Sequence, residues 1–228
     1  MKEPDVIYED NHIIVVVKPV GVLSQSDKTG DPDMLSLIKA YLKVKYNKPG
    51  DVYLGLVHRL DRAVGGVMVF AKTSKAASRL SESIRKKEMT KIYYAVTKGI
   101  PEKMQGIINS FLLKDEKTNI VRCVDSKTPD AKEAILEYTV CEVAKDSALL
   151  KINLHTGRPH QIRVQLAQTG YPLLGDVKYG NDSKELKSPA LWSFSLEFCH
   201  PVKKENMKFE KLPPKVKPWL DFSHIFTV

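Results

Sequence analysis

The sequence predicts an α+β domain dominated by mixed, largely antiparallel sheet. Three observations carry that expectation. β-Branched runs recur along the chain, the segment from Gly106 to Leu154 is a series of strand-like runs broken by polar turns, and only three stretches show helical spacing.

Val6 to Tyr8 and Ile13 to Val17 are β-branched runs separated by Glu9-Asp10-Asn11, a strand, a turn and a buried strand that Lys18-Pro19 stops. Asp31-Pro32-Asp33 supplies start signals for a helix whose apolar positions at 34, 35, 38, 41 and 42 carry it to about Asn47-Lys48-Pro49-Gly50. Strands are expected at Tyr53 to Val57 and Gly66 to Ala71, flanking a short segment that concentrates charge. Ser74 is placed as the cap of a helix running to about Glu88, with Ala77, Leu80 and Ile84 inside and Arg79, Arg85, Lys86 and Lys87 on or near its outer face. Ile92 to Val96 is the next strand, and Lys114 to Asn119 and Lys145-Asp146-Ser147 punctuate the meander that follows. Pro159 suits the first position of a helix carrying Ile162, Val164, Leu166 and Ala167, ended by Gly170. Late in the chain Trp192, Phe194, Leu196 and Phe198 alternate with Ser193, Ser195 and Glu197, which predicts a strand with one buried face.

At 228 residues the chain suits one large domain or two closely packed lobes, and 43% hydrophobic with 28% charged residues excludes disorder along its whole length. Lys and Arg exceed Asp and Glu by 36 − 27 = 9, a surplus that attracts polyanions such as nucleic acid or an anionic membrane surface. The longest stretch without a charged side chain is the 12 residues from Val164 to Gly175, short of the roughly 18 a spanning helix needs, so no membrane association is expected. The opening Met1-Lys2-Glu3-Pro4-Asp5 lacks the pattern of a secretory leader, and a cytoplasmic location is expected. Cys123, Cys141 and Cys199 are widely spaced with no C-x-x-C pair, and they are expected to be small buried apolar residues.

The densest cluster is His58-Arg59-Leu60-Asp61-Arg62, between two strands and followed by Gly65-Gly66. A carboxylate flanked by two cations is held ionised, so Asp61 suits a nucleophile or a base; equally, it suits a solvated turn in which it pairs with Arg59 or Arg62. Thr156-Gly157-Arg158-Pro159-His160-Gln161-Ile162-Arg163 gathers Arg158, His160 and Arg163 at the start of a helix, where anions are favoured. Lys91-Ile92-Tyr93-Tyr94-Ala95 puts neighbouring tyrosines on opposite faces of a strand, one for the core and one for a cleft. No dinucleotide fingerprint, P-loop, G-x-S-x-G or metal-ligand spacing among the six histidines occurs.

Taken in order, these clusters resemble the RluA-like family of RNA pseudouridine synthases. Lys18-Pro19-Val20-Gly21 resembles its K-P-x-G element, and His58-Arg59-Leu60-Asp61 its H-R-L-D. Lys91-x-Tyr93-x-Ala95 resembles its tyrosine motif, and Thr156-Gly157-Arg158 with His160-Gln161-Ile162-Arg163 its T-G-R-x-H-Q-I-R. Tyr171 to Asp176, Tyr179-Gly180 and Phe198-x-His200-Pro201 continue the likeness, which spans about residues 6 to 214. The sequence departs from the family where Val64-Gly65-Gly66 stands for the usual Thr-Ser-Gly, where Gln165 replaces a common His, and where Pro159 replaces Thr or Ser.

The resemblance implies an α+β catalytic fold with a central active-site cleft, a single catalytic domain without an N-terminal RNA-binding module, and isomerisation of uridine in ribosomal or transfer RNA without cofactor or metal. It assigns Asp61 as the essential carboxylate, acting on the ribose C1′ or on the uracil ring. Arg163 is expected to pair with Asp61 across the cleft, Tyr93 to stack on the flipped base, and Leu166 to line the pocket. Arg59 is the candidate for filling the vacated stack, and Arg62, Arg158 and Lys72, with His160, for contacting the RNA; the protein is expected to be a monomer. Two other classes stay open: a noncatalytic RNA-binding protein that keeps the fold, and an Asp-dependent glycosidase, for which no second carboxylate is evident.

Overall fold

The computed structural model describes residues 3–180, 186 and 188–226. In chain order the described elements are β1 (Asp5–Glu9), β2 (Ile13–Lys18), α1 (Met34–Lys45), β3 (Gly55–Leu56), β4 (Gly65–Ala71), α2 (Ser74–Arg85), β5 (Thr90–Lys98), β6 (Gln105–Asp115), β7 (Ile120–Val124), β8 (Lys132–Ala144), β9 (Ser147–Leu154), α3 (Gln161–Gln168), β10 (Leu191–Cys199) and β11 (Asn206–Glu210). They fall into two compact units, Met1–Thr90 with Ser193–Lys211, and Lys91–Trp192 with Leu212–Val228.

In the first unit the strand order is β1-β2-β4-β10, with β3 beside β4 and β11 beside β10. β2 and β4 are buried at every residue, as unbroken apolar runs demand when both faces of a strand are covered. One face packs Ile13, Val15, Val67 and Val69 with Leu196, Phe198, Phe209 and the α2 residues Ala76 and Leu80. On the opposite face Ile14, Val16, Met68 and Phe70 are also fully buried. α1 is capped by Asp33, whose side chain accepts from the Ser36 amide, and it buries Met34, Ile38 and Leu42 along one stripe. α2 is capped by Thr73, one residue before the expected Ser74, and ends at Arg85, short of Glu88.

The second unit is an antiparallel meander in the order β5-β9-β8-β6-β7. Register pairs Tyr93 with Ile152 and Ile152 with Tyr138. α3 packs on β7 and β6, where Val164 joins Leu112, Val121 and Ala134. It begins at Gln161 rather than at Pro159, because His160 turns left-handed with φ 51° and breaks the helical path before it.

Two other expectations need correcting. β10 is not half-exposed: Ser193 and Ser195 are 0% and 2% exposed. A Cβ on Gly66 would stand 2.2 Å from the Ser193 carbonyl oxygen, so β4 and β10 approach backbone to backbone there. The polar side chain fits that covered face because the Ser193 hydroxyl donates to the Val67 carbonyl at 3.1 Å. The cysteines are not core residues, since Cys123 and Cys141 are half-buried and Cys199 is exposed. Burial raises the Cys123 and Cys141 thiols above the usual range.

Gly66 also sits at φ 121°, which L side chains rarely adopt. Gly66→Ala is therefore expected to lower the free energy of unfolding by about 3 kcal/mol, combining steric overlap with backbone strain. Urea denaturation checks this, and a loss under about 1 kcal/mol would show that β4 and β10 can simply separate.

Candidate active site

The segment between β3 and β4 carries Asp61, and three anchors fix its backbone. The Ser24 hydroxyl donates to the Leu60 carbonyl at 2.7 Å and accepts from the Leu60 amide at 3.1 Å. The Lys18 ammonium, with no exposed surface, donates to the carbonyls of Pro19 at 3.0 Å, Val22 at 2.5 Å and Arg62 at 3.1 Å. Arg62 and Gly21 complete the tie: the Gly21 amide donates to the Arg62 carbonyl at 2.8 Å, and the Arg62 Nε to the Gly21 carbonyl at 3.1 Å. Leu60 and Val64 are buried on either side, and the Asp61 carbonyl accepts from the Val64 amide at 3.0 Å. The loop is thus ordered without the two hydroxyls that Val64-Gly65 removes.

Electrostatics tie Lys18 to the same place. Burial is the main cause that lowers its ammonium from 10.5 to about 8; the Asp61 carboxylate opposes that shift and Arg62 adds to it. His58 accepts the Val69 amide on Nε2 at 3.1 Å, which places a neutral ring's proton on Nδ1 and makes His58 a brace for β4. Arg59 is exposed, with no hydrogen bond or ion pair among the described residues. Arg62 is exposed as well, and its Nη1 lies 2.8 Å from Asp31.

Lys72 was expected at RNA phosphates, but it is engaged inside the fold. Its ammonium lies 2.6 Å from Glu9 and 4.8 Å from the centre of the Tyr46 ring. Burial alone would raise the Glu9 carboxyl, yet hydrogen bonds from Lys45, Lys72 and Tyr46 outweigh it and hold the group at about 2. A phosphate would have to compete with that carboxylate.

In the second unit the Arg163 guanidinium is 7% exposed and gripped along one edge, Nε to Asp176 Oδ2 at 2.7 Å and Nη2 to Oδ1 at 2.8 Å. Its centre stands 5.2 Å from the centre of the Tyr179 ring. Tyr179 is pinned in turn, its hydroxyl accepting from the Val121 amide at 3.0 Å and meeting His160 Nδ1 at 2.6 Å. His160, expected to contact RNA, therefore braces the ring that backs Arg163. Gln165, fully buried, donates to the carbonyls of Ile108 and Ala134 and to the Ser110 hydroxyl, locking α3 onto the meander. Leu166 is buried on α3, and Arg158 donates through Nε to the Glu133 carbonyl at 2.8 Å. Tyr93 and Tyr94 are both buried, at 6% and 4% exposure.

Asp176 and Tyr179, which carry no role in the sequence pattern alone, are the side chains that hold Arg163 in place. The signal was the charge balance: a buried arginine requires a carboxylate, and Asp176 is the acid closest after it in sequence. Among the described residues no group of three or more His, Cys, Asp or Glu side chains forms a metal site. Asp176→Asn is expected to cost about 3 kcal/mol of unfolding free energy, because it removes the charge facing a buried guanidinium. Chemical denaturation of the variant and of Asp176→Asn/Arg163→Met checks it, with the double variant recovering part of the loss.

Comparison with known proteins places the chain in a family. A family model described as RNA pseudouridylate synthase matches residues 12–168. The chain is 34% identical over 206 residues to the Uncharacterized RNA pseudouridine synthase YhcT of Bacillus subtilis (strain 168), covering 89% of this chain and 66% of that one. It is 32% identical over 230 residues to the Ribosomal large subunit pseudouridine synthase D of Vibrio cholerae serotype O1, covering 92% of this chain and 67% of that one. The chain thus spans about two thirds of the length of these curated relatives. The fold is similar to that of Human RNA Pseudouridylate Synthase Domain Containing 4, with a TM-score of 0.77 at 22% identity over 92% of this chain and 89% of that one. With the family model and these relatives covering most of its length, and with the H-R-L-D segment anchored as described, the chain belongs to the RNA pseudouridylate synthase family, a family of isomerases.

Proposed function

We propose that this chain isomerises uridine to pseudouridine in structured RNA, ribosomal or transfer, with Asp61 as the acting carboxylate. Relatives named for the ribosomal large subunit favour ribosomal RNA. The observation that carries the reading is the loop at Asp61, whose backbone is held on both sides by Lys18, Ser24 and Gly21 while the residue itself is only half-buried.

The reaction breaks the N1–C1′ bond, turns the uracil, joins C5 to C1′, and moves the C5 proton out as N1 gains one, so nothing is consumed and no cofactor or metal is invoked. Asp61 attacks either C1′ or the ring. Tyr93 offers an aromatic face to the extruded base, Leu166 apolar wall, and Arg163 positive charge held in place by Asp176. Extrusion costs a few kcal/mol, offset by stacking and phosphate contacts, for which the exposed Arg59, Arg62 and the half-buried Arg158 are the candidates. The basic surplus of 9 charges supports an RNA partner. The proposal is of a cytoplasmic monomer; among the described residues no helix is long and apolar enough to cross a membrane.

Tritium release from total bacterial RNA labelled at uracil C5 tests this. Wild type is expected to release tritium and Asp61→Asn to release none, with RNA affinity kept within a few fold. Binding without release by wild type would establish the noncatalytic class instead, and release by pure Asp61→Asn would remove Asp61 from its role.

A second prediction concerns pH. Lys18 in the folded chain lies near 8 against 10.5 for the free group, so burying the cation costs stability below pH 8 and that cost fades as pH rises toward 10.5. Deprotonation also removes one donor from the three carbonyls. Turnover is therefore expected to fall through about pH 8 while unfolding free energy gains, relative to Lys18→Met, over the same range. Parallel pH profiles of tritium release and urea midpoint check the opposite signs.

A further inference from the structure

The folded chain answers its other buried cations: Lys18 with three carbonyls, Lys72 with Glu9, Arg163 with Asp176. Lys91 differs. It is half-buried on β5, and among the described residues it has neither a hydrogen-bond nor an ion-pair partner. Its ammonium reaches the turn before α3, where Nζ stands 3.8 Å from the position a Cβ on Gly157 would take. That turn is rigid: the Thr156 hydroxyl donates to Gln161 Oε1 at 2.8 Å and accepts from the Ile135 amide at 2.8 Å, and the Arg158 amide donates to the same Oε1 at 3.0 Å. Gly157 itself is exposed, so the turn opens to solvent beside the ammonium. Two residues along the strand on the same face is Tyr93, about 7 Å away.

We propose that Lys91 is a binding residue for a phosphodiester of the RNA backbone, next to the nucleotide whose base meets Tyr93. A desolvated ammonium without a counter-charge is costly, and an anionic ligand entering at Gly157 relieves that cost. Burial alone lowers the Lys91 ammonium below its usual range, in keeping with the missing partner. A phosphate is the anion that a nucleotide seated on Tyr93 brings within a side chain's reach. The inference rests on the reading of the chain as an RNA isomerase.

The test compares wild type, Lys91→Met and Lys91→Arg for binding to an unmodified large-subunit ribosomal RNA transcript across a salt series, with thermal midpoints of the RNA-free proteins. Lys91→Met is expected to melt no lower than wild type, to bind about tenfold more weakly, and to lose about 0.7–0.9 from the slope of log affinity against log salt, one phosphate contact. Lys91→Arg is expected to keep the slope. An unchanged slope in Lys91→Met overturns the proposal, and a lowered melting point with that unchanged slope makes Lys91 a structural lysine. Tritium release by wild type is read separately: its absence from every RNA sinks the isomerase reading, whereas release together with an unchanged slope sinks only the role of Lys91.

Discussion

A single ammonium buried among three carbonyls organises the first unit. Lys18 ends β2, and its reach to the carbonyls of Pro19, Val22 and Arg62 joins the chain after that strand to the loop before β4. Three carbonyl acceptors match the three donors of an ammonium, which is why a cation can stand there without exposed surface. The geometry requires β2 and β4 to be neighbours in fixed register, and they are, with Lys18 opposite Gly66. The apolar packing of β2 and β4 thus sets the coordinates of Asp61, and the polar contacts convert strand register into loop conformation.

The second unit uses a different economy of charge. Arg163 is oriented by a carboxylate along one edge and an aromatic ring on one face, and both partners come from the segment that follows α3. Tyr179 is itself held from β7 and from the residue before α3. A guanidinium built in this way has few rotamers left, so its charge is directed before any ligand arrives. Gln165 serves the helix as Asp176 serves the arginine, its amide nitrogen held by two carbonyls and a hydroxyl.

Much of this was legible in the residues. Apolar runs at Ile13 to Val17 and Gly66 to Ala71 announced strands, the first of them buried, and Asp31-Pro32-Asp33 announced the start of α1, because patterning and capping are local in sequence. The bend at His160 was not legible, since proline two residues ahead of a helix is as compatible with a turn as with a first helical position. Nor were the burial of Ser193 and the engagement of Lys72. Each depends on a partner far away in the chain: Gly66 for the serine, Glu9 for the lysine. For the site, the flanking charges left Asp61 open between a reactive carboxylate and a solvated turn, and only the ordered motifs singled it out; the contacts of Lys18, Ser24, Asp176 and Tyr179 emerge only when strands and turns bring their acceptors and donors within 3 Å or so.

The uneven setting of the three cysteines offers a handle on the molecule. Cys123 and Cys141, half-buried with thiols raised by burial, react slowly with electrophiles, because the thiolate is the reactive form. Cys199 is exposed at the end of β10, just before the turn that leads to β11. A maleimide dye at neutral pH would enter there first, putting one fluorophore on the first unit without any engineered residue and at a strand end remote in sequence from Asp61.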